Sequence, residues 1–257
     1  MQFKKILIMV ASLTLINCMS HAVAQDEEKN DGLARVVMIT AEDGHEKALE
    51  DAITAYHHYM GGKDGAWHYQ WYSIETGPNT GKYIARTGNL NWEDFDAEHD
   101  WDEEAGARFV SDVQPHIAEA IVTITRTDDE LGMWPDSMEG YNYFSVTNWY
   151  VKPGQNRAYN DGMEKVNTLL KEGGWPNYYA FTYPVSGGKN NQVTLVSPRK
   201  NFADMAPKEP KFYDILTKAM GEEEAKAFLA EWSLTYTSGQ NQLLSYRPKL
   251  SNYGDKK

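Results

Sequence analysis

The chain repeats itself, and nothing else in the sequence limits its fold as strongly. Shifted by 110 residues, Gly44-His45-Glu46-Lys47-Ala48 falls on Gly154-Gln155-Asn156-Arg157-Ala158. At the same shift Trp67-His68-Tyr69-Gln70-Trp71 meets Asn177-Tyr178-Tyr179-Ala180-Phe181, and Asn91-Trp92-Glu93-Asp94-Phe95 meets Asn201-Phe202-Ala203-Asp204-Met205. Further on the best shift becomes 120, where Glu104-Ala105-Gly106-Ala107 meets Glu224-Ala225-Lys226-Ala227. The second copy therefore carries about ten extra residues after the Asn-aromatic-x-Asp landmark. A duplicated unit of this kind is one structural module used twice.

Each copy has the same order of elements. A Val-, Ile-, Tyr- and Trp-rich strand comes first, at residues 35–40 and 144–151. An amphipathic helix follows, with Ala48, Leu49, Ala52, Ile53, Tyr56 and Met60 in one copy and Ala158, Met163, Val166, Leu169 and Leu170 in the other. Gly61-Gly62 and Gly173-Gly174 stop these helices. Two hairpin strands come next, at 67–74 with 82–87 and at 178–185 with 192–197, then a second helical region and a last strand at 121–127 or 242–247. The pattern is β-α-β-β-α-β, twice: an α+β chain of two ferredoxin-like units, each with an antiparallel sheet and two helices on one face. The bare face of each sheet must be buried, and two sheets from two copies can pack face to face and make a barrel. The expected division is 1–24 signal peptide, 25–127 first repeat, 128–142 linker, 143–250 second repeat and 251–257 polar tail.

This tandem order resembles the dimeric α/β-barrel superfamily, which includes antibiotic-biosynthesis monooxygenases, NIPSNAP-type proteins and the chlorite dismutase group. The resemblance spans almost all of the chain after residue 24 and rests on element order, with no diagnostic motif. It implies a barrel fold and a ligand-sized cavity, and no particular reaction.

The N-terminus reads as an export signal. MQFKK is a charged start, ILIMVASLTLI is too short to span a bilayer, and Ala22-Val23-Ala24 is an A-x-A cleavage site before Gln25. A periplasmic or secreted protein is expected. The minority alternative is a lipoprotein through Cys18, for which Asn17 is a poor preceding residue. Cys18 is the only cysteine, and with cleavage before Gln25 the mature chain would have none, which would exclude disulfide frameworks, thiolate nucleophiles and cysteine-rich metal sites together. A net charge of −12 argues against nucleic acid and anionic membranes as partners. No later apolar run is long enough for a membrane span.

The repeat also serves as a control, because a residue the fold requires should have a like residue in the other copy. His57 and His58 face polar Asn167 and Thr168, which reads as a solvated helix face. His68, Gln70 and Tyr72 alternate away from Trp67, Tyr69 and Trp71, and would line the space between the sheets. Arg86 has no basic counterpart, and Arg126 aligns with Tyr246. The candidate site is therefore His68 as proton shuttle and Arg86 as anion holder, with Gln70, Tyr72, Arg126 and Tyr178 binding the ligand. His99 and its acidic neighbours read as a helix start capped by Asp100, with Glu103 at N3, and not as a metal site. An axial histidine for haem is absent from the second copy, since every histidine precedes residue 117.

The expectation is an exported barrel that binds, and could transform, a small aromatic or apolar molecule without metal or nucleotide cofactor. The alternatives are a non-catalytic interaction module and a haem-binding barrel. Homodimerisation is left open, as is whether the repeats pair within one chain.

Overall fold

The computed structural model describes residues 31–237 and 239–252. The expected signal peptide, 1–24, and Cys18 within it lie outside the described residues. The first unit runs β1 (Leu33–Ala41), α1 (Glu46–Met60), β2 (Gln70–Ile74), β3 (Tyr83–Leu90), α2 (Asp102–Arg108) and β4 (Ile117–Met133). The second runs β5 (Tyr143–Val151), α3 (Asn156–Glu172), β6 (Tyr179–Ser186), β7 (Gln192–Arg199), α4 (Phe212–Met220), α5 (Glu222–Ser233), β8 (Tyr236–Thr237) and β9 (Asn241–Tyr246).

The strand orders β4-β1-β3-β2 and β9-β5-β7-β6 are the same arrangement twice, all antiparallel. The units then join at their edges. Tyr72 of β2 pairs with Tyr246 of β9, and Arg126 of β4 pairs with Tyr183 of β6. The ring closes through eight strands, with short β8 attached to β5. The two repeats thus complete one barrel within one chain, and closure removes the open edges that each sheet would present alone.

Three cores follow from the two faces of this sheet. Outside the first unit, Leu49 and Ile53 of α1 pack on Val37, Ile39, Trp71, Tyr83 and Ala85. Outside the second, Tyr159, Met163, Val166 and Leu170 of α3 pack on Val151, Tyr179, Phe181 and Val193. Inside, Tyr72, Ile74, Phe144, Val146 and Leu244 fill the barrel, with Met38, Ile84, Val196 and Tyr246 packed against them. Full burial of each such side chain is worth roughly 1.5–3 kcal/mol. Met138, in the segment joining the repeats, packs against this inner core.

Several sequence expectations are refined. The extra residues of the second copy form α4, whose Ile215 and Leu216 join the outer core. Residues 128–133, read as linker, continue β4 through a bulge between Asp128 and Gly132. There Asp128 Oδ1 accepts the Glu130 and Leu131 N–H groups. The β6–β7 turn is seated tightly on β4, because a Cβ at Gly187 (φ +76°) would lie 2.3 Å from the Val122 carbonyl oxygen.

The acidic helix start is corrected in register. The N-cap of α2 is Trp101, not Asp100, and Asp102 is the carboxylate that accepts the His99 N–H at 2.6 Å. His99 stacks on Trp101 with ring centroids 4.5 Å apart. The solvated-face reading also fails for two residues. His57 is half-buried, and its Nδ1 meets the Leu250 carbonyl at 2.8 Å. Asn167 is buried, and its Oδ1 accepts from the Tyr179 hydroxyl and the Gly132 N–H.

Candidate functional site at one barrel mouth

Strand alternation decides which side chains reach the barrel interior. Tyr72 is in the inner core and Trp71 in the outer one, so Gln70 shares the inner face with Tyr72. Ile84 and Val36 place Arg86 on that face by the same count, and Gln70 and Arg86 are direct cross-strand partners on β2 and β3. The Tyr72 hydroxyl donates to Gln70 Oε1 at 3.3 Å. The Tyr72 ring meets Phe144 edge-on at 5.1 Å and Tyr246 at 5.7 Å.

Arg86 is half-buried and has no carboxylate within ion-pair distance among the described residues. Its guanidinium lies against Gly88, two residues on along the same face. A Cβ there would fall 2.6 Å from Arg86 Nη1, so the missing side chain makes room for the charge. Val196 stands at the equivalent position of the second repeat and packs in the inner core. The fold does not require a cation here.

The other expected residues are dispersed. His68 precedes β2, which begins at Gln70 and not at residue 67. It is exposed, and its Nδ1 lies 3.0 Å from the Asn252 carbonyl. With Nδ1–H donating to that oxygen, Nε2 carries the lone pair, and the ring can act as a base. Arg126 is not at this mouth. It pairs with Tyr183, an outer-core residue, and is exposed on the outer wall. The register of β4 explains the misplacement: Val36 pairs with Thr123 and Val146 with Gln242, so Arg126 corresponds to Ser245 and not to Tyr246. A one-residue slip moves a strand residue to the opposite face. Tyr178 lies just before β6, which is four strands from β2 in either direction round the ring. It borders a separate concavity with Arg199, Lys200 and Lys208. Sequence reasoning passed over those three cations. Comparing the ends of β3 and β7 would have found two of them, since Arg199 and Lys200 stand opposite Asn89 and Leu90.

Histidines that could ligate a haem are absent from the second repeat. In the first, His57 Nδ1 is held by the Leu250 carbonyl, His45 and His116 face each other at 3.2 Å and His99 is stacked on Trp101, whereas His58 is exposed and the bond from His68 to Asn252 engages only Nδ1. Among the described residues no group of three or more His, Cys, Asp or Glu stands close enough to hold a metal ion. No described helix is long and apolar enough to cross a membrane.

Fold and site together define a tandem α/β barrel of two ferredoxin-like units, the dimeric α/β-barrel architecture closed within a single chain. Solved structures share it. A candidate monooxygenase from Lactobacillus acidophilus NCFM matches with a TM-score of 0.52 and 11% identity, over 83% of this chain and 93% of that one. An anthrone oxidase-like protein matches with a TM-score of 0.51 and 11% identity, over 85% and 92%. A mutant chlorite dismutase from Candidatus Nitrospira defluvii matches with a TM-score of 0.50 and 8% identity, over 86% and 93%. At these identities the likeness is one of fold. No family model and no curated protein matches the sequence.

Proposed function

We propose that this is an exported barrel protein that binds a small aromatic or apolar molecule bearing one anionic or acidic oxygen, at the mouth formed by Gln70, Tyr72 and Arg86. The observation that carries this reading is the half-buried Arg86 guanidinium, set on the inner wall beside Gln70 with no carboxylate of the described residues to neutralise it. A buried-side cation without a counter-ion is costly, and a bound carboxylate or enolate oxygen relieves that cost through paired N–H···O bonds. The partly buried Tyr246 supplies aromatic surface on the inner wall, backed by the buried Tyr72 ring. With a ligand carrying an acidic C–H, Arg86 would hold the oxygen that gains charge, whereas His68 lies off the inner wall with its Nδ1 on the Asn252 carbonyl and takes no part. The role of Arg86 calls on no metal or nucleotide cofactor.

The test is mass spectrometry of small molecules released from the purified protein, followed by binding of the released compound to Arg86→Gln and His68→Ala. The proposal expects Arg86→Gln to weaken binding by roughly tenfold or more while the fold persists. It expects His68→Ala, at an exposed position off the inner wall, to leave binding intact. Unchanged binding to Arg86→Gln would defeat the reading. A Soret band in the purified protein would instead favour the haem alternative. Export is tested separately, by the N-terminal residue of protein recovered from the periplasm or medium, expected at Gln25.

A further inference from the structure

A second concavity lies on the other repeat, at the outer end of the β6–β7 hairpin. Its walls come from Tyr141 in the segment between the repeats, Asn177 and Tyr178 before β6, Arg199 and Lys200 at the end of β7, and the corner holding Asp204 and Lys208. Its volume is about 160 Å³. That is below the roughly 300–1,000 Å³ of pockets for drug-sized ligands, and suits a single ring.

Charge distinguishes this hollow from the rest of the molecule. The chain carries −12 overall, yet here three cations face one carboxylate. That carboxylate is already committed. Asp204 accepts the Lys200 backbone N–H at 3.0 Å and pairs with Lys208. Burial would raise its pKa, but Lys208, the Lys200 N–H and Arg199 together hold it below the usual carboxylate value. Arg199 is oriented by Asn177, whose Oδ1 accepts from Nη1. Neither Arg199 nor Lys200 has a carboxylate within ion-pair distance among the described residues. Tyr141 and Tyr178 stand edge to face at 6.1 Å, with Lys200 Nζ 5.4 Å from the Tyr141 ring centre.

The first repeat shows what the fold alone needs at this corner. The positions of Asn177, Arg199, Lys200 and Met205 hold Trp67, Asn89, Leu90 and Phe95. There Trp67 meets Phe95 edge-on at 5.4 Å and Leu90 is buried, so the corner is plugged by apolar side chains. Both repeats keep the Asn-x-x-Asp turn itself: Asp94 accepts the Asn91 N–H, and Asn201 accepts the Asp204 N–H. The second repeat replaces the plug with cations and leaves space. Structural necessity does not account for that exchange.

We propose that this corner is a binding site for a small aromatic carboxylate, with the carboxylate held by Arg199 and Lys200 and the ring set against Tyr141 and Tyr178. The site is independent of the Arg86 mouth. A guanidinium and an ammonium give the acid group charge-assisted hydrogen bonds, and the tyrosine faces and edges give the ring a stacking surface.

The experiment is titration of the purified protein with benzoate, benzyl alcohol and inorganic phosphate, followed by calorimetry and by chemical-shift changes of the tyrosine ring protons. Benzoate is expected to bind and benzyl alcohol not to bind, with affinity falling as salt is raised. Lys200→Gln, at an exposed position, is expected to weaken benzoate roughly tenfold, and Arg199→Gln by at least as much. Arg86→Gln is expected to remove any benzoate binding at the barrel mouth while the shift changes of Tyr141 and Tyr178 persist. Failure of benzoate to bind, or undiminished binding to a folded Lys200→Gln, overturns the proposal. Phosphate binding as tightly as benzoate overturns the aromatic assignment. Loss of benzoate binding in Arg86→Gln alone would place the ligand at the barrel mouth and overturn this site without touching the first.

Discussion

His57 and Asn167 occupy the same position on α1 and α3, 110 residues apart, and each holds the end of the other repeat's last strand or the chain that leaves a strand paired beneath it. His57 Nδ1 meets the carbonyl of Leu250, beyond β9, which pairs with β2. Asn167 accepts the Gly132 N–H and donates to the Glu130 carbonyl at the end of β4, which pairs with β6. A polar side chain at this shared helix position thus fastens each seam of the barrel.

The two fasteners differ in their response to pH. Burial lowers the His57 pKa below 6.5, outweighing the bond to Leu250 that raises it. A depressed folded-state value means the neutral form is favoured in the folded protein. Its contribution is complete above about pH 6.5 and is lost as pH falls through the folded-state pKa. Thermal unfolding followed from pH 8 to pH 5 should show a declining melting temperature, and His57→Asn, which installs the other repeat's residue, should flatten part of that decline. An unchanged slope in the variant would contradict the assignment.

Asn167 has no titration but more bonds. Replacing it with Ala leaves the Tyr179 hydroxyl, the Gly132 N–H and the Glu130 carbonyl without this partner. Leaving buried polar groups unsatisfied costs about 1–3 kcal/mol each. Urea unfolding of Asn167→Ala should show a loss of at least that size for one group.

Gly162 on α3 lies beneath Trp232 of α5, and a Cβ there would fall 2.2 Å from Trp232 Cδ1. Ala is normally the better helix former by about 1 kcal/mol. Here overpacking should dominate, with Gly162→Ala destabilising by about 1–3 kcal/mol. The double variant Gly162→Ala with Trp232→Leu should lose less than the two single changes combined, measured by denaturant titration.

Glu50 of α1 joins Arg247 at 2.7 Å and the Tyr83 hydroxyl at 2.9 Å. Burial and then Glu50 push the Tyr83 pKa to about 12, so the hydroxyl remains a donor at neutral pH. Arg247 also donates to Ser73, tying β9 to β2 at the seam. Arg247→Met should destabilise by about 1–3 kcal/mol, and Glu50→Gln with it should restore part of the loss. A full additive loss would show that the pair is not coupled.

Asp100 and Asp102 separate two readings of the acidic stretch. Asp100 is exposed and caps nothing, whereas Asp102 accepts the His99 N–H. Asp102→Ala should cost about 1 kcal/mol and Asp100→Ala should stay within roughly 0.5 kcal/mol. A larger effect at Asp100 would restore the original cap.

Much of this architecture is legible in the chain because periodicity is local. The stripe Leu49, Ile53 and Met60 makes α1 amphipathic whatever it packs on, and the alternation of Trp71 with Tyr72 already divides outer wall from interior. The inward face of Arg86 is legible from the same alternation, and its lack of a basic counterpart is what marks it as a candidate. His68 was misplaced because the strand was read three residues too long. Arg126 was misplaced because the last strands differ in offset by one residue, which no composition reveals. The acidic residues around His99 gave the correct element and the wrong cap, since helix starts are set by backbone geometry within a residue or two.

The sequence by itself determined the duplicated βαββαβ unit, the antiparallel sheets and the inward-facing set Gln70, Tyr72 and Arg86, because residue spacing fixes which face a side chain takes. Only the tertiary structure decided that β2 pairs with β9 and β4 with β6, so that two half-barrels close in one chain. It alone brought Tyr141, Tyr178, Arg199, Lys200 and Lys208 to one hollow. Pairing between strands far apart in sequence depends on register and on which edges meet, and those are properties of the folded chain as a whole.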